Sequence, residues 1–132
     1  MKKIFRKTII LFVLFLFGVF LYFNRLNFEI IEYEIEGKKY KLYLADTQKK
    51  REVGLMYKKK LDNVDGMLFI FDEKIKPVFY NKNTYLDLDI YWIDGSSVVF
   101  KSFLPSITTA RKIVYVSSAV EVDKVIELIR KK

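Results

Sequence analysis

The chain has 132 residues, a formal net charge of +8 and neither cysteine nor histidine. Those absences exclude disulfides, thiolate catalysis, cysteine-bearing zinc sites and any imidazole base, and with the last the Ser-His-Asp arrangement. An enzyme would have to work with carboxylates, lysine, tyrosine or serine, which weighs against catalysis.

Lys2, Lys3, Arg6, Lys7 and Arg25 place +5 of the charge in residues 1 to 27 and leave +3 on the rest. The basic excess is therefore gathered near one end. It is not a nucleic-acid footprint, and no nucleic-acid partner is expected.

Residues 9 to 23 carry no charge and follow four basic side chains, a basic region followed by an apolar one. Counting Thr8, the run is 16 residues. That is about 24 Å of helix against about 30 Å of bilayer hydrocarbon. Ile4 and Phe5 can extend it while the neighbouring lysines snorkel. Cleavage needs small residues after the apolar run, but Leu21-Tyr22-Phe23-Asn24-Arg25 are bulky. Without cysteine a lipoprotein site is impossible. The expectation is an uncleaved transmembrane signal-anchor within residues 1–27. It meets membrane lipid through residues 8–23, with Tyr22 and Phe23 at the outer interface. The positive-inside rule then puts the N-terminus in the cytoplasm and residues 28–132 outside a cell membrane.

Ile31, Tyr33 and Ile35 alternate with Glu32, Glu34 and Glu36; Tyr40, Leu42 and Leu44 alternate with Lys39, Lys41 and Tyr43. Period two predicts half-buried strands, with Gly37-Lys38 as the hairpin turn between them. One exposed face is acidic and the other basic, so cross-strand pairing is favourable. Asp46 and Thr47 can cap a short helix over residues 48–53, ended by Gly54, with Arg51 on it. Lys58-Lys59-Lys60 reads as a solvated loop, with contact to anionic lipid or an anionic wall polymer as the sharper reading. The turn-rich Asp62-Asn63-Val64-Asp65-Gly66 offers oxygens, but its spacing is not that of a calcium loop. No metal or cofactor is called for.

Met67 to Phe71 is a continuous apolar run, expected for a strand buried on both faces. Asp72 to Pro77 reads as a loop and Val78-Phe79-Tyr80 as a new strand. Leu86, Leu88, Ile90 and Trp92 alternate with Asp87, Asp89 and Tyr91, and Asp94-Gly95 reads as a hairpin turn. Residues 98–103 and 113–116 supply further strands. Val125, Ile126, Leu128 and Ile129 stand at helical spacing and predict a closing amphipathic helix. The fold class is thus mainly β, a small sandwich or barrel-like domain over residues 28–132 with one or two short helices, preceded by a transmembrane helix.

Lys82-Asn83-Thr84 is the strongest candidate site. It offers a cation, an amide and a hydroxyl in sequence, able to hold a carboxylate, phosphate or sugar. Asn and Thr also stabilise turns through nearby backbone, which is the plainer reading. Arg51 and Asp89 are candidate neighbours in one polar recess. Asp87 and Asp89 stand two apart on one strand, at about 6.6 Å, which suits an acid and base pair or simply a wet strand face.

Arg51-Glu52-Val53-Gly54-Leu55-Met56, Gly66 to Phe71, Tyr80-Asn81-Lys82-Asn83-Thr84 and Leu88-Asp89-Ile90 follow one another in fixed order, with Pro105 beyond. This series resembles the bacterial and archaeal domain of unknown function 192 family, over roughly residues 38 to 122. That family shows Arg-x-x-Gly-Leu-Met, Gly-Met-Leu-Phe-x-Phe, Trp-Met-Lys-Asn-Thr and Leu-Asp-Ile. Tyr80-Asn81 departs from its Trp-Met, and its final Gly-Asp strand is missing here. The resemblance implies a small, mostly β domain and no established activity. Three functions follow as expectations. The first is a membrane-anchored module of the cell envelope binding a small ligand, an envelope polymer or a membrane protein partner. The second is a carboxylate-based hydrolase of envelope glycans. The third is a purely structural interaction domain.

Overall fold

The alternating apolar residues form strands in a computed structural model that describes residues 2–23 and 26–131. The first element, α1, is a helix over Lys2–Phe23. The interface expected at Tyr22 and Phe23, and the charge step at Arg25, lie outside the described side chains. The transmembrane expectation is corrected: among the described residues, no helix is long and apolar enough to cross a membrane. The physical reason is length, since the uncharged run falls short of the hydrocarbon thickness and Arg6 and Lys7 interrupt its extension toward Ile4. With the span goes the argument made from it for the side of a membrane on which the domain lies.

Strands β1 (Ile30–Ile35) and β2 (Lys38–Ala45) pair antiparallel, with Glu32 opposite Lys41 and Glu34 opposite Lys39. The acidic and basic faces therefore meet as their patterns predict. The turn lies at Glu36 and Gly37, one residue earlier than expected. Both hold positive φ, 51° and 79°, the twist that a two-residue hairpin needs.

The short helix α2 (Gln48–Val53) forms over the expected residues. The Thr47 hydroxyl accepts from the Lys50 amide at 3.3 Å, capping its start. Gly54 ends it at φ 51°, its N–H donating to the Lys50 carbonyl. This crossover lets β3 (Gly66–Ile75) run parallel to β2. The strand continues through the residues read as a loop, because Ile75 pairs with Val122 beyond a register shift. After β4 (Val78–Tyr80) come β5 (Leu88–Asp94), β6 (Ser97–Leu104), a one-turn helix α3 (Ile107–Ala110), β7 (Tyr115–Ser117) and β8 (Val122–Ile129).

The main sheet has the order β1-β2-β3-β8-β5-β6, and β4 pairs with β7 in a second sheet of two strands. Residues 122–129 are a strand, not the expected closing helix. Their apolar run satisfies both periods, and β8 lies hydrogen-bonded between β3 and β5, so neither of its faces needs to be polar.

Two cores follow from the two faces of β3 and β8. Met67, Phe69, Ile90, Trp92 and Val125 pack on one side, under the β4–β7 pair and the helical crossover. Leu42, Leu68, Ile93, Ile126 and Leu128 pack on the other. There the sheet curls until its edges approach, and Lys101 of β6 meets Glu36 of the first hairpin at 2.7 Å.

Candidate functional site

The short helix α2 leaves Arg51 and Glu52 over the face that carries Phe69 and Phe71, and β4 brings Phe79 and Tyr80 opposite them. Between these elements opens a cleft of about 320 Å³. That lies at the small end of the range for ligand sites. The loop after α2 supplies Leu55 and Met56, and Thr84 closes another side.

The aromatic packing shapes this volume. Phe69 and Phe79 meet edge to face with centroids 4.9 Å apart, and Phe79 meets Trp92 the same way at 5.6 Å. Such geometry sets the negative face of one ring against the positive edge of the next and holds the rings rigidly. Trp92 is fixed in turn by its Nε1–H, which donates to the Ser102 hydroxyl at 2.8 Å.

Glu127 lines the same cleft. It sits on β8 between Met67 of β3 and Ile90 of β5, two residues of the first core, and is 5% exposed. Desolvation in these apolar surroundings pushes its carboxyl up to about 8. Among the described residues, no hydrogen bond or ion pair reaches that carboxyl, and none has an enclosed polar side-chain atom without a partner. The Glu127 oxygens therefore keep their residual exposure through the cleft.

Arg51 is held differently. Its Nη1 donates to the Ile70 carbonyl at 2.8 Å, and its guanidinium lies 5.5 Å from the centre of the Phe71 ring. These contacts fix a cation on the cleft wall.

The residues singled out from sequence are distributed by the fold. Arg51 and the buried Thr84 line the cleft; Lys82, Asn83 and Asp89 do not. Lys82 is exposed. Asn83 adopts φ 54°, its carbonyl accepting from the Tyr57 amide at 2.8 Å and its Nδ2 donating to the Tyr57 hydroxyl at 2.9 Å. It joins the segment to the loop after α2. Asp89 alternates with Ile90, so it lies on the other face of the sheet, 3.5 Å from Arg130. Asp87 precedes β5, and its carboxylate accepts from the Ser106 amide at 2.8 Å and from the Thr109 hydroxyl at 3.2 Å.

Asn81 is fully buried. Its Nδ2 donates to the carbonyls of Pro105 and Lys112, and its Oδ1 accepts from the Val114 amide at 2.8 Å. It fastens the strand beside the cleft to two distant loops. Sequence reasoning missed Glu127 altogether. The signal was an acid set within Val125-Ile126 and Leu128-Ile129, which a helical reading turns toward solvent and a strand reading turns inward.

A mostly β domain with an aromatic cleft and a buried acid beside it is the class that fold and site define. The chain belongs to the DUF192 family, described as uncharacterized ACR, whose model matches residues 31–131. It is similar to the crystal structure of a candidate transcription regulator from Sinorhizobium meliloti 1021, at 27% identity and TM-score 0.61, over 80% of this chain and 84% of that one. It shares its fold with a protein of unknown function from Novosphingobium aromaticivorans DSM 12444, at 19% identity and TM-score 0.63, over 80% and 76% of the two chains. No curated protein matches the chain.

Proposed function

We propose that this DUF192 domain is a small-molecule binding module whose site is the cleft between α2, β3 and β4. One observation carries the reading. A side chain as costly to bury as a glutamate stands at the cleft without a protein partner, while every enclosed polar side-chain atom among the described residues has one. A ligand group that bonds to it would offset that cost. The rigid aromatic walls supply apolar contact area, and Arg51 and Thr84 supply the few polar groups that orient a ligand.

A two-carboxylate hydrolase draws less support, because Asp87 is engaged with Ser106 and Thr109 while Asp89 lies on the opposite sheet face from the cleft. The test is ligand-observed NMR on the full chain with a set of small aromatic and aliphatic fragments, repeated with Met56→Trp, which fills the cleft. Several fragments should compete for one saturable site that the variant loses while its melting temperature stays within a few degrees. Absence of saturable binding, or binding undiminished in Met56→Trp, refutes the proposal.

A further inference from the structure

We infer that the cleft takes a small organic cation, a primary amine on an aromatic or branched apolar body, with Glu127 as its counter-ion. The inference rests on the ligand-binding reading above and names the ligand's chemistry.

An ammonium group seeks a carboxylate, and the body that carries it seeks aromatic surface. The cleft offers both: the Glu127 carboxyl, and the side chains of Phe69, Phe71 and Phe79. The other charged or titratable groups around it are few. Arg51 and Glu52 come from α2, and Tyr80 comes from β4. The strands flanking Glu127 present Met67, Phe69 and Ile90, none of which titrates. Arg51 is committed to the Ile70 carbonyl and the Phe71 ring, and the raised Glu127 carboxyl owes its shift to burial alone. Among the described residues no cation pairs with it.

An anionic ligand would find no free cation beside the buried carboxyl, and a neutral one would leave that carboxyl protonated. An amine replaces the missing counter-ion. Below about pH 8 the carboxyl holds a proton in the empty cleft. When the ammonium enters, that proton leaves to solvent and the carboxylate pairs with the cation. Binding thus releases one proton for each amine taken up. Above about pH 8 the carboxylate is already ionised and no proton is released.

The experiment titrates the full chain with benzylamine, benzyl alcohol and benzoate by calorimetry, in pairs of buffers of unlike ionisation heat. Benzylamine affinity should rise about tenfold per pH unit up to about pH 8 and then level, with close to one proton released on the acid side. Glu127→Gln should lose most of the benzylamine affinity together with its pH dependence and proton release. Benzylamine affinity that ignores pH or survives Glu127→Gln overturns the inference. So does tighter binding of benzyl alcohol or benzoate, which leaves the ligand-binding reading standing. If none of the three binds wild type, this inference falls, and the ligand-binding reading is decided by the fragment titration above.

Discussion

At the scale of single residues, Glu127 makes the protein's stability fall with pH. The folded chain keeps its proton to about pH 8, whereas the unfolded chain releases it near the ordinary value of 4.5. Between those values the folded state binds more protons, so stability declines as pH rises, by up to about 1.4 kcal/mol per unit and roughly 5 kcal/mol in all. Asp46 and Asp123 have lowered carboxyls and titrate on the acid side of that window. Glu127→Gln should flatten the slope and melt higher than wild type near pH 8 in urea titrations. A wild type that gains stability from pH 5 to pH 8 would contradict the buried acid. Phe69 is 1% exposed and sits in the aromatic stack, while Phe71 is half-buried beneath Arg51. Phe69→Ala should therefore cost about 3–5 kcal/mol and Phe71→Ala distinctly less. Asn81→Ala takes the buried partner away from three part-buried backbone groups and should cost about 2–3 kcal/mol, whereas Lys82→Ala next to it should leave melting unchanged.

At the scale of elements, the pairing of β3 with β8 positions the site, and one glycine permits it. A Cβ on Gly66 would collide with the backbone carbonyl of Glu127. Neither strand can retreat without breaking its ladder, so the glycine serves close approach rather than a turn. Gly66→Ala should destabilise by about 3 kcal/mol or more, read from denaturant midpoints. A near-neutral result would mean that β8 does not pack as described. Gly54 has the other role. It holds φ 51° at the end of α2 with the Phe69 ring 3.5 Å from where a Cβ would stand. Leu55 and Met56 thereby turn into the cleft wall.

At the scale of the whole molecule, the curled sheet is drawn together on one side by Lys101 and Glu36, but both are about half exposed. Solvent screens such a pair, so Lys101→Ala should leave the chemical-denaturation midpoint nearly unchanged. The core beneath it, with Leu42, Ile93 and Ile126, carries the closure. A large fall in that midpoint would show that the ion pair holds the curl.

The strands at 30–35, 38–45 and 88–94, the helix at 48–53 and the central run at 67–71 were legible in the sequence, because a period of two, a cap and a turn residue are local signals. The family was legible for the same reason, as Gly66 to Phe71 and Leu88-Asp89-Ile90 are short contiguous motifs. Arg51 and Thr84 were picked out and do share the cleft. Lys82, Asn83 and Asp89 were grouped with them by nearness along the chain, which does not say which face a side chain takes. Only the tertiary structure decided that 122–129 is a strand, since that choice depends on hydrogen bonds to β3 and β5. It also decided the site. Glu127 becomes a buried acid only when two apolar strands enclose it and a helix more than seventy residues earlier leaves a cleft beside it. Burial is a property of the surroundings that folding brings together, and no local pattern in the chain encodes it.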